Sequence, residues 1–127
     1  MLACGDTFYA DDELTDDGEP HLWIIVTPPT DGEVVTVSIT TRRKRSETTV
    51  VLQSGEHPFI RHESVIAYSY SRIRLVEEIE RAIANGTARK REPVSEKLLQ
   101  RAKNGLADSD FTPNGVRHYY KSIVDAG

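Results

Sequence analysis

The stretch His21-Leu22-Trp23-Ile24-Ile25-Val26-Thr27-Pro28-Pro29-Thr30-Asp31-Gly32-Glu33-Val34-Val35-Thr36-Val37-Ser38-Ile39-Thr40-Thr41 reads as two β-strands and the turn that joins them. Residues 21–27 are a nearly continuous apolar run, rich in β-branched side chains and closed by Pro28-Pro29. Proline lacks the amide hydrogen that a ladder needs, so the strand stops there. Asp31-Gly32 supplies a turn, and over residues 33–40 Val35, Val37 and Ile39 alternate with Thr36 and Ser38. That period of two is the mark of a pleated strand.

Working outward, the basic connection Arg42-Arg43-Lys44-Arg45-Ser46 leads to a strand over 48–52. The turn Gly55-Glu56-His57-Pro58 leads into Ile60 and a strand over 64–70 with a hydroxyl at each end. Several short strands broken by Gly and Pro favour a small barrel or sandwich over a parallel α/β sheet. The last third is helical. Ile73, Val76, Ile79 and Ile83 recur at helical steps over 73–84, and Asn85-Gly86 is a stop signal. Residues 87–92 are polar and basic and read as a linker. Ser95 caps a helix over 95–104 with Gly105 after its end, and Thr112-Pro113 opens another over 113–124. The expected fold is mainly β (α+β), a small antiparallel barrel with its following helix over 1–86 and a helical C-terminal extension over 87–127.

A chain of 127 residues suits one domain with a single modest core. Its 38% hydrophobic and 28% charged content is ordinary for a globular protein. No apolar run approaches the roughly 20 residues that span a bilayer, so no membrane association is expected. Met1-Leu2-Ala3-Cys4-Gly5-Asp6 has no basic segment and turns acidic at once, unlike a secretory or lipoprotein signal, and a cytoplasmic location is expected. Cys4 is the only cysteine, which excludes an internal disulfide. The net charge of −4 hides a segregation. Residues 1–33 hold nine acids and no Lys or Arg, whereas the remainder carries 16 bases against 11 acids. This segregation implies either internal charge pairing or a basic surface guarded by an acidic loop, and the plainer reading of 11–19 is a solvated hairpin connection.

Several chemistries lack their residues. His57 and His62 are five apart with a proline between them and share no helical face, so neither metal nor cofactor is expected. No Gly-x-Ser-x-Gly elbow occurs, and no glycine-rich loop precedes a helix. General acid–base work on RNA needs less, because the ribose 2′-hydroxyl is itself the nucleophile. One or two imidazoles with hydroxyl and guanidinium donors suffice. His21, Thr40, Thr41 and His57 lie at strand ends or turns and are the candidates for that work. Arg42, Arg43 and Arg61 are the candidates for holding phosphate in charge-assisted bonds. The plainer alternatives are that His21 caps a strand, that His57 orients its turn through a backbone bond, and that the basic run is a solvated loop.

Gly5-Asp6, the aliphatic strand from His21, the strand ending in Thr40-Thr41, and Ser64-Val65-Ile66 with Arg72-Ile73 after it together resemble the MazF/PemK-like toxins. These are the endoribonuclease halves of bacterial toxin–antitoxin pairs, and they share an SH3-like barrel with the CcdB-type gyrase poisons. The resemblance covers roughly residues 5–85, with a variable loop over 15–20. It implies a metal-independent endoribonuclease acting on single-stranded RNA, restrained by an antitoxin protein and forming a homodimer. It implies His21 as general acid or base, where the family carries arginine, and Thr40 or Thr41 as a donor to phosphate oxygen. Histidine at that position loses the fixed charge and forked donors of arginine. A non-catalytic barrel that binds a protein or nucleic acid is the alternative, as is an oligomeric barrel whose last two helices form a docking surface.

Overall fold

β-Branched runs and a two-residue turn place the centre of the sheet. In the computed structural model, which describes residues 1–10 and 20–126, β2 (His21–Ile25) and β3 (Glu33–Thr41) pair antiparallel. Asp31 and Gly32 between them both have positive φ, 50° and 77°, the backbone that a tight hairpin turn with right-handed twist requires. Thr30 and Glu33 exchange backbone hydrogen bonds of 3.0 Å across it. β1 (Thr7–Ala10) flanks β2, and β5 (Ser64–Leu75) flanks β3. β4 (Val51–Leu52) and β6 (Ala88–Arg91) form the edges, giving the order β4-β5-β3-β2-β1-β6, antiparallel throughout. The two edges do not pair, so the curled sheet is a half-barrel, and the fold is mainly β with helices.

The curl has a local cause in β5. Its register against β3 runs from Ser64↔Thr41 to Ala67↔Ser38, and resumes at Arg72↔Thr36. Residues 68–71 are thus opposed by Val37 alone, a large bulge that bends the strand. The amides it frees are not left bare. The Glu47 carboxylate accepts from the Tyr68 N–H at 2.8 Å, the Ser69 N–H at 3.2 Å and the Ser69 hydroxyl at 2.8 Å. Ser71 donates to the Tyr68 carbonyl at 2.7 Å.

Both faces of the sheet are covered. α1 (Val76–Asn85) packs Ile79 against Phe8, Trp23, Ile25 and Val34 on one face. The Arg74 guanidinium lies 4.4 Å from the centre of the Trp23 ring beside it. The other face carries Leu22, Ile24, Val37, Ile39, Ile66 and Tyr68 under α2 (Glu96–Asp108) and α3 (Asn114–Ala126). Ser95 caps α2 by accepting the Leu98 N–H at 3.1 Å, as its position predicts. Gly86, with φ 85°, ends α1, the left-handed conformation that glycine adopts without penalty.

Several boundaries differ from the sequence expectation, among them the strand expected over 48–52, which forms only at Val51–Leu52. Ile73 ends up in β5, because its apolar spacing also fits a strand, and α1 starts only at Val76. α2 continues through Gly105 to Asp108, with Gly105 buried against the Tyr68 hydroxyl where no side chain fits. Residues 87–92 are not a linker: Ala88–Arg91 is the edge strand β6, paired with β1. Its Arg-Lys-Arg run shows no apolar alternation because an edge strand is kept soluble by charge. The acidic stretch 11–19 lies outside the described residues. Among the described residues, no helix is long and apolar enough to cross a membrane.

Candidate functional site

Antiparallel pairing brings the C-terminal ends of β1 and β3 to the same end of the sheet as the N-terminal ends of β2 and β5. The register that pairs Leu22 with Ile39 sets His21 beside Thr40 as it continues, and Thr41 pairs with Ser64. A groove of about 520 Å³ opens there. Its lining combines the apolar Leu22, Ile39 and Ile60 with the polar His21, Thr40, Thr41, Arg43 and Ser64. Tyr9 and Phe59 close one side. Four of the residues singled out in the sequence, His21, Thr40, Thr41 and Arg43, therefore line one groove at the end of the sheet, with His21 and Thr40 alternating onto the face opposite that of Thr41, Leu22 and Ile39.

The other three do not line the groove. Arg42 is tied to Glu63 by a 2.9 Å ion pair, reinforced by its backbone N–H on the Glu63 carbonyl at 2.9 Å. Arg61 is exposed on the loop before β5. His57 is buried, 2% exposed, and both ring nitrogens are engaged by backbone. Nδ1 accepts the Phe59 N–H at 3.0 Å, which leaves the proton on Nε2 to be donated to the Glu92 carbonyl at 2.6 Å. A ring with both nitrogens so occupied is a structural fastener. It ties the turn after β4 to the segment between β6 and α2.

That turn is built to hold its shape. Gly55 has φ 92° and donates to the Ile60 carbonyl at 2.8 Å, while Ile60 donates to the His57 carbonyl at 2.9 Å. Glu56 accepts the Gln53 N–H at 2.7 Å and pairs with Arg101 of α2 at 2.6 Å. Arg101 also donates to the Val51 carbonyl at 2.6 Å. The product of these bonds is a fixed Phe59, which keeps 36% of its surface exposed at the groove. Tyr9 lies against it with ring centroids 5.2 Å apart, and the Arg91 guanidinium lies 4.5 Å from its ring centre. Sequence reading missed Tyr9, Phe59 and Arg91 as site residues. The available signal was an aromatic two residues after a histidine in a Gly–Pro turn.

Among the described residues, the loop that follows β3 gives this end of the sheet a run of cations. Arg43, Lys44, Arg45 and Arg61 make no ion pair with a described residue. The Arg43 N–H donates to the Ser46 hydroxyl at 2.8 Å, which shapes the start of the basic loop. Among the described residues, no group of three or more His, Cys, Asp or Glu side chains is placed to hold a metal ion. No protein-family model matches the chain, and no curated protein matches it.

Proposed function

We propose that the groove binds single-stranded RNA and that the protein is a toxin-like, metal-independent endoribonuclease. The observation that carries this reading is that His21, Thr40, Thr41 and Arg43 all line the groove at one end of the sheet. In this mechanism the ribose 2′-oxygen attacks the adjacent phosphorus while His21 removes its proton. Arg43 and the threonine hydroxyls donate to the phosphorane oxygens, where charge builds up. The bond to the 5′-oxygen then breaks, that oxygen takes a proton from water, and a 2′,3′-cyclic phosphate remains.

The half-barrel and the strand-end position of His21 and Thr40 support placing the chain with the MazF/PemK-like toxins. On that reading it acts in the cytoplasm as a homodimer and is restrained by an antitoxin protein. One observation favours a second reading, a non-catalytic RNA-binding barrel: with His57 fastened elsewhere, the groove holds a single imidazole. The two separate in a paired assay of His21→Ala. A ribonuclease loses cleavage while keeping RNA affinity within a few fold. A binder shows no cleavage even as wild type, and Arg43→Ala weakens its affinity in a salt-dependent way.

A further inference from the structure

We infer that Phe59 and Tyr9 form a seat for one unpaired nucleobase, next to the phosphate position at Arg43 and Thr41; the inference rests on reading the groove as an RNA site. A phenylalanine in a polar groove is costly to leave in water, yet Phe59 keeps 36% of its surface exposed in a turn pinned by hydrogen bonds. His57 fixes its backbone, Tyr9 flanks its ring, and Arg91 lies against it. The His57 bond joins the turn to Glu92, whose carbonyl also accepts the Thr7 hydroxyl at 2.8 Å. Phe59 is thus positioned from β1 and from the end of β6 as well as from its own turn. An aromatic immobilised before the ligand arrives loses little freedom on binding.

The chemistry around the ring points to a nucleotide rather than to an apolar ligand. The groove combines aromatic faces with hydroxyl donors and the guanidinium of Arg43, which pairs with no carboxylate among the described residues. Base stacking on an aromatic ring is sequence-tolerant and works only on a base freed from a duplex. The volume of about 520 Å³ falls within the roughly 300–1,000 Å³ of small-ligand sites, room for a nucleotide unit and not for a helix. Arg91 adds positive charge beside the Phe59 ring. Its Nε is buried and meets no hydrogen-bond partner among the described residues, while its guanidinium lies over the Phe59 ring.

The test uses a 2′-O-methyl oligoribonucleotide, which lacks the nucleophile, carrying 2-aminopurine at alternate positions. It is titrated as a single strand and as a duplex into wild type, Phe59→Leu and Phe59→Trp, each checked for folding by circular dichroism. The expected result is binding of the single strand by wild type with quenched 2-aminopurine emission. Phe59→Leu should weaken that binding about 5- to 150-fold, the loss of one stacked base, and Phe59→Trp should preserve it. Duplex binding should be weaker and indifferent to residue 59. Single-strand affinity unchanged in Phe59→Leu, or no quenching on binding, overturns the base seat and leaves the groove's RNA reading intact. Absence of any binding by folded wild type overturns both.

Discussion

Replacing Gly105 with alanine sets two opposed effects against each other, and the docking of α2 on the sheet decides the sign. In a helix interior the change alone stabilises by about 1 kcal/mol. Here the added Cβ would overlap the Tyr68 hydroxyl oxygen and lie 2.6 Å from its Cζ and 2.8 Å from Val50 Cγ2. Tyr68 is fully buried and its hydroxyl donates to the Ala102 carbonyl at 2.8 Å, so the ring has nowhere to go. Overpacking of this kind costs about 1–3 kcal/mol, and a strained or broken Tyr68 hydrogen bond adds about 1 kcal/mol. The net expectation is a loss of ~2 kcal/mol, with the clash taken at the middle of its range. At about 4 °C per kcal/mol for a domain of this size, Tm should drop by roughly 8 °C. Urea unfolding of wild type, Gly105→Ala, Tyr68→Phe and the double variant measures the effect, and the double variant should lose less than the sum of the singles. A Gly105→Ala protein more stable than wild type would refute the reasoning, because α2 would then not lie on Tyr68.

Three further outcomes follow from polar groups that hold the fold. Burial, aided by the Glu47 carboxylate, pushes the Tyr68 phenol well above its ordinary 10.0. Below pH 10 both states keep the proton; above it the unfolded chain ionises first. Stability should therefore fall above pH 10 by up to about 1.4 kcal/mol per pH unit. Tyr68→Phe should remove that part of the slope, as measured by denaturation between pH 9 and 11. Glu47→Gln puts an amide N–H against bulge donors and should cost about 1–2 kcal/mol, with faster hydrogen exchange at the Tyr68 and Ser69 amides. His57→Ala removes two buried backbone partners and should cost about 2–3 kcal/mol in urea unfolding. Its folded fraction should retain kcat on RNA with a raised KM, a split that a proton-transfer residue would not give.

The hairpin from His21 to Thr41 was legible because its alternation and its Asp31-Gly32 turn are local signals, and both act where they are written. Ser95 and Gly86 were legible for the same reason. The misreadings arise where distant parts of the chain decide. β6 is a strand only because β1 offers it a ladder, and its charges obscure the pattern. Gly105 looks like a helix terminator until Tyr68 is known to occupy the space of its missing side chain. At the site, strand-end position was enough to line one groove with His21, Thr40, Thr41 and Arg43. It could not distinguish His57, whose role is set by carbonyl and amide partners that residue types do not reveal. Phe59 was visible as part of a motif but not as an exposed ring, since exposure belongs to the folded surface.

The most direct measurement is incubation of a long unstructured RNA with the purified protein in EDTA, with end-group analysis of the fragments and His21→Ala in parallel. The account predicts fragments ending in 2′,3′-cyclic phosphate from wild type and none from the folded variant. Intact RNA after incubation with folded, partner-free wild type, or equal cleavage by His21→Ala, would contradict it.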